Sequence, residues 1–194
     1  RQVRYKGAIR HEQVYSEVLF RLRYLREPHL AVRPPCRGRD GVHEGRELRG
    51  HVVAHSVDEV LEAAELRAGA GLTGDRWTAS SRGEPLTLRS SRLIGLLART
   101  RERWPLAGDQ LYVDFDLCAE HLPPGTRLAI GSAVIEISPE PHAPCRKFRD
   151  RYGADALRFV ASPAGRELNL RGVKASVVTG GVVRGGDAVC ALFD

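Results

Sequence analysis

The stretch PHAPCRKF, from Pro141 to Phe148, sets one cysteine directly after a proline, with a histidine three residues ahead and two cations directly behind. Proline is favoured at the first helical position, where its missing N–H costs nothing. The spacing therefore predicts a helix opening at Pro144, with Cys145 in its first turn. Unpaired N–H groups and the partial positive charge of a helix N-terminus favour a thiolate over a thiol. Arg146, Lys147 and His142 are expected to add positive charge in the same direction. A thiolate is a nucleophile and a soft-metal ligand, and the same helix end suits an anion such as phosphate. Sulfur chemistry, soft-metal ligation or both are the expected uses of Cys145. The ordinary alternative for a lone cysteine is a small buried apolar residue. His142 is a candidate proton donor, with a surface loop position as its ordinary alternative.

The other cysteines, Cys36, Cys118 and Cys190, are widely and irregularly spaced. No CxxC or HxxxH pair is present, so no structural zinc site is expected, and the cysteine count is too low for a disulfide scaffold. Cys118 and Cys190 lie in apolar, strand-like surroundings and are expected in the core. Cys36, in PPCRG, reads as a free loop thiol. This usage makes a reducing, cytoplasmic setting the expectation.

Charge is distributed unevenly. Residues 1–50 hold 12 Lys/Arg against 6 Asp/Glu, while residues 51–194 hold 18 of each. The whole excess of +6 is thus in the first quarter of the chain. A nucleic-acid binder should carry a basic face with helical or aromatic readers in its main body, so nucleic acid is not an expected partner. No apolar run approaches the roughly 20 residues of a membrane span.

The elements that must position Cys145 follow from periodicity. HEQVYSEVLFRLRYLRE has Val14, Val18, Leu22 and Leu25 at helical spacing, and 32–48 reads as loop; residues 1–48 form a basic, partly helical extension, and the main domain is expected over 49–194. HVVAH (51–55) predicts a strand. SVDEVLEAAEL (56–66) predicts a capped helix, with Ser56 and Glu59 in capping-box spacing. GAGLTGDRW (69–77) is a glycine-punctuated turn and PLTL (85–88) a strand. SSRLIGLLARTRERW (90–104) predicts an amphipathic helix capped by Ser90 or Ser91. DQLYVDFD alternates Leu111, Val113 and Phe115 with polar residues, as a half-buried strand does, which puts Asp114 and Asp116 on a solvated face. RLAIGSAVIEI (127–137) is a hairpin about Gly131-Ser132. PCRKFRDRYGADALRFVAS reads as one helix interrupted near Gly153, and 173–193 as three short strands with glycine turns. The expected fold is β-rich α/β, a compact barrel with peripheral helices.

Four marks stand in order over residues 71–187: GLTGDRW; LPPGTRLAIGSAVIEI; a proline-rich loop carrying one cysteine; and RGVKASVVTGGVVRGGD. In this the chain resembles the MOSC domains, named after the C-terminal domain of molybdenum cofactor sulfurases, and most of all their small stand-alone bacterial members. The resemblance implies a MOSC-type β-barrel that binds the molybdenum cofactor (molybdopterin), a pterin dithiolene with a phosphate tail. It implies that Cys145, matching the motif cysteine, either ligates molybdenum, as in relatives that reduce N-oxygenated compounds, or carries sulfur as a persulfide. It implies that Arg146, Lys147, Arg171 and the turn at Asp75–Arg76 lie near the pterin or its phosphate. No iron–sulfur spacing is present, and the separate pyridoxal-phosphate domain of the full sulfurases has no counterpart, so no PLP site is expected. Sulfur or electrons would come from a donor protein. The rival expectations are a non-catalytic carrier of cofactor or sulfur, and a degenerate interaction module.

Overall fold

The computed structural model describes residues 49–55, 60–75 and 86–192. The helix expected near residues 14–25, the loop at 32–48, the Ser56–Glu59 cap and Arg76 lie outside them.

Eleven strands form among the described residues: β1 (Arg49–His55), β2 (Val60–Leu61), β3 (Ala63–Arg67), β4 (Gly71–Leu72), β5 (Leu86–Ser90), β6 (Leu111–Val113), β7 (Arg127–Ile130), β8 (Ala133–Ile137), β9 (Val173–Thr179), β10 (Gly181–Arg184) and β11 (Ala188–Leu192). The main sheet runs β11-β7-β8-β9-β5-β6-β1-β2, and an added β1–β11 pairing closes it into a barrel. Closure removes the unpaired edges that an open sheet exposes. β10, β3 and β4 form a second, small antiparallel sheet.

The barrel core is aliphatic: Leu86, Leu88, Leu111, Val113, Leu128, Ile130, Ile135, Ala175 and Val189 are buried together in one cluster. The β7–β8 hairpin turns at Gly131, whose φ of 55° suits glycine at the tip. All ring pairings are antiparallel except β5 with β6, which is parallel. A parallel pair needs a long crossover, here built from α1 (Ser91–Ala98) and a 3₁₀ helix (Arg101–Ala107). Ser90 is the cap: its hydroxyl accepts from Leu93 N at 3.5 Å.

Three expectations are corrected. Over the described residues 60–66 the predicted helix is instead β2 and β3, with Ala64 and Leu66 buried in alternation with exposed neighbours. Pairing of β3 with β10 and β4 overrides the helix propensity of Glu and Ala there. The helix at 90–104 stops at Ala98, Arg99 adopts φ 65°, and the chain continues as a 3₁₀ helix containing Pro105. This return brings Trp104 onto Tyr112, ring centroids 5.5 Å apart. For the same reason β6 is buried on both faces: Tyr112 packs outward beneath Ile94, Ala98 and Ala107, and its hydroxyl donates to Trp104 O at 2.6 Å.

The remaining helices are α2 (Arg146–Tyr152), α3 (Ala154–Ala161) and α4 (Pro163–Glu167). The interruption expected near Gly153 falls there, at φ 95° between α2 and α3. No helix among the described residues is long and apolar enough to cross a membrane.

Candidate functional site

Arg89 stands on β5, Asp109 and Gln110 just precede β6, and Arg171 just precedes β9. The pairings of β5 with β6 and β9 bring these four together. Gly172 makes the approach possible: at φ 97°, a Cβ there would lie 2.2 Å from the Leu88 carbonyl oxygen.

The Arg89 and Asp109 side chains have no solvent exposure. Arg89 Nε donates to Asp109 Oδ2, and its Nη2 donates to the Arg171 carbonyl at 2.8 Å. Arg171 Nη1 donates to both Asp109 carboxylate oxygens, at 2.9 and 3.2 Å. Burial pushes the Asp109 carboxyl up, but the two guanidiniums outweigh it and hold it at about 2. Two cations sharing one anion leave the cluster with an excess of positive charge.

Phe148, the buried residue of α2, docks against this pair. The Arg89 and Arg171 guanidinium carbons lie 5.1 and 5.2 Å from its ring centroid, within cation–π range. Arg151 Nη1 donating to Leu106 O at 2.8 Å, and Tyr152 Oη donating to Arg103 O at 2.6 Å, fasten α2 to the 3₁₀ helix.

One turn before Phe148, Cys145 is exposed. It occupies the cap position of α2 in an extended conformation, φ −116° and ψ 166°, and its carbonyl accepts from Arg149 N at 3.2 Å. The expected helix start at Pro144 is thus corrected: α2 begins at Arg146, and Cys145 precedes its first turn. Phe148 docking on the arginine pair fixes the register that the proline preference alone left open. What the fold provides at Cys145 is an accessible sulfur.

A cavity of about 430 Å³ opens beside it, lined by Thr87, Gln110, His142, Cys145, Lys147 and Arg171 among others. Arg146, Arg151 and Lys174 also line it, and no carboxylate does among the described residues. Arg171 is 7 % exposed, and its Nε has no hydrogen-bond partner. A buried, unpaired donor on a cation is costly. Lys174 pairs with Glu140, and the Arg146 Nε lies 3.6 Å from Asp150 on the exposed face of α2.

His142 is brought to the cluster, with its Nδ1 3.4 Å from Arg171 Nη1. A guanidinium only donates, so in that contact Nδ1 is the acceptor; the same Nδ1 lies 3.6 Å from Asp109 Oδ1. Burial drives the imidazole down to about 3; Arg171, Arg89 and Lys174 add to this, and Asp109 opposes it. His142 is therefore neutral near pH 7 and adds no positive charge beside Cys145, contrary to the expectation from sequence. The unfolded chain takes up this proton below about 6.5 and the folded chain only near 3, so stability falls as pH drops through that window. Between pH 6.5 and 4.5 the loss should be about 2 kcal/mol. His142→Asn should flatten this slope in denaturant melts at the two pH values. An unchanged slope would contradict the buried neutral ring.

Asp75 is buried and accepts from Gln110 Nε2 at 2.7 Å, while Gln110 Oε1 accepts from Thr87 N at 3.0 Å. Asp75 thus stands behind Gln110, which faces the cavity. Sequence reasoning missed Arg89, Asp109, Gln110 and Phe148. The available signal was a charged residue inside the apolar strand LTLRS, which can only be buried with a partner. Cys118 is buried as expected; Cys190 is buried too, but disulfide-bonded.

Residues 95–190 match the family model of the MOSC domain. The fold is similar to that of YuaD from Bacillus subtilis, which is 16 % identical over 77 % of this chain and 99 % of that one, with a TM-score of 0.56. It is similar also to YiiM from Escherichia coli, 19 % identical over 75 % of this chain and 70 % of that one, with a TM-score of 0.52. No curated protein matches the chain. The chain is a MOSC-domain protein, and the matched segment runs from α1 through the Cys145 loop to β11. That family is associated with the molybdenum cofactor and with sulfur chemistry.

Proposed function

We propose that the chain binds the molybdenum cofactor in the cavity beneath α2 and uses Cys145 as the site's working sulfur. The observation that carries this reading is an exposed thiol beside a cation-lined cavity whose buried arginine keeps one N–H unpaired. The donor set fits the group. Arg171, with Lys147 and Arg146, would hold its phosphate; the neutral His142 ring would donate a hydrogen bond and not, as expected from sequence, a proton; Cys145 would meet the metal. When bound, the cofactor supplies a redox-active molybdenum for reducing N-oxygenated substrates. The exposure of Cys145 favours a second use. Its thiolate attacks the outer sulfur of a donor protein's persulfide, takes that sulfur, and releases the donor's thiol. Such a chain acts as a sulfur carrier or transferase with a partner protein.

Measuring molybdenum, pterin fluorescence and cyanolysable sulfur together, on protein from a molybdate-fed host, tests the reading. Metal with pterin supports ligation, and cyanolysable sulfur without metal supports transfer. Absence of all three would refute both and leave an interaction module. Arg171→Gln should weaken retention of the phosphate-bearing pterin roughly 10- to 100-fold, the scale of a lost charge-assisted bond. Arg171→Lys should recover only part of it, because the ammonium lacks the guanidinium fork. Equal retention in the glutamine variant would remove Arg171 from the site.

A further inference from the structure

A second group of chemically capable side chains lies on the connection between β6 and β7. Asp116, Cys118 and His121 each offer a ligand atom, and these atoms all lie within 4.8 Å of one another. We propose that this trio is a binding site for a divalent cation of the zinc class, separate from Cys145.

The ligand types decide the class. A thiol, an imidazole and a carboxylate together suit zinc and its neighbours, whereas magnesium and calcium take oxygen ligands. Zinc–ligand bonds of about 2.0–2.3 Å place tetrahedral ligands roughly 3.3–3.8 Å apart, so an ion needs only small side-chain shifts here. Three protein ligands leave a fourth position for water.

The backbone is already organised. His121 N and Leu122 N both donate to Cys118 O, at 3.1 and 2.9 Å. Ala119 N donates to Glu167 O at 3.2 Å and Asn169 Nδ2 to Leu117 O at 2.8 Å, tying the segment to the end of α4. Leu117 and Leu122 are buried in the barrel core. Little ordering entropy therefore opposes binding. Exposure is graded: Cys118 is 2 % exposed, the His121 side chain 16 % and the Asp116 side chain 36 %. The sulfur forms a floor, and the other two ligands form a rim open to solvent.

Asp116 Oδ1 accepts from Cys118 N at 3.0 Å, and Oδ2 lies 2.8 Å from His121 Nδ1. Bound Cys118 would be a thiolate and bound His121 a neutral imidazole, the forms in which these side chains ligate zinc. The bound ion would staple the β6–β7 connection against α4. The D-x-C-x-x-H spacing escapes a search for CxxC or HxxxH pairs because one ligand is a carboxylate.

Titration of the full chain with Co²⁺ tests this, since a cobalt–thiolate bond gives a near-ultraviolet charge-transfer band. The expected result is one Co²⁺ per chain with that band, displaced by Zn²⁺ and retained in Cys145→Ser. Cys118→Ser should abolish the band, and His121→Asn, a change at a partly exposed ring, should weaken cobalt affinity at least tenfold while the melting temperature of the metal-free protein holds. Absence of the band in the wild type, its loss in Cys145→Ser, its persistence in Cys118→Ser, or unchanged affinity in His121→Asn would each overturn the proposal. If Cys118→Ser does not fold, the His121 variant decides.

Discussion

Asp109→Ala is expected to cost about 3–5 kcal/mol of folding stability, the usual consequence of removing one partner from a buried ion pair. Asp109 has no exposed side-chain surface and is the shared acceptor for Arg89 and Arg171. Without it two neighbouring guanidiniums beside Phe148 are left with their charge uncompensated. The whole stability of an ordinary domain is about 5–15 kcal/mol, so the loss should be visible as a fall in Tm of roughly 10 °C or more. Asp109→Asn keeps the size and part of the hydrogen bonding, and should fall between the two. Acid should reproduce part of the effect. The carboxyl's ordinary value of 3.8 is lowered to about 2 in the fold. The unfolded chain therefore takes up the proton first, and this contribution, fully present above about 4, is lost as pH falls through about 2. An alanine variant within about 1 kcal/mol of the wild type would show that the cluster does not hold the site together.

Cys145→Ala should behave in the opposite way. The side chain is exposed and makes no cap hydrogen bond, so stability should stay within about 0.5 kcal/mol of the wild type. The chemistry should vanish entirely, because among the described residues no other thiol lines the cavity. Cyanolysable sulfur, or molybdenum per chain, should drop to background in this variant at unchanged Tm. Alkylation of the folded wild type should modify Cys145 well before Cys118, which is buried. Full sulfur or metal content in Cys145→Ala would remove this residue from the proposed function while leaving the barrel untouched.

The two variants separate the parts of the site. Asp109 acts through others: it fixes Arg171, and with Arg89 it builds the platform on which Phe148 docks α2. Cys145 depends on that platform for its position and contributes little to it.

Strand alternation and turn chemistry are local properties, and they determined much of the fold in advance. The Gly131-Ser132 hairpin, the strand at β1, the three strands after Val173, the break at Gly153 and the cap at Ser90 all follow from residues within a few positions of one another. So does the singling out of Cys145, which rests on its immediate neighbours. What only the tertiary structure decided are matters of partnership between distant residues. The Glu- and Ala-rich 60–67 segment became strand because β10, more than a hundred residues later, pairs with it. Tyr112 became core because α1 and the 3₁₀ helix return over it. His142 lost its charge because burial beside Arg171 and Arg89 costs more than Asp109 returns. The Arg89–Asp109–Arg171 cluster joins three positions whose alignment depends on barrel closure, and no periodicity in one chain encodes which buried charge will meet which.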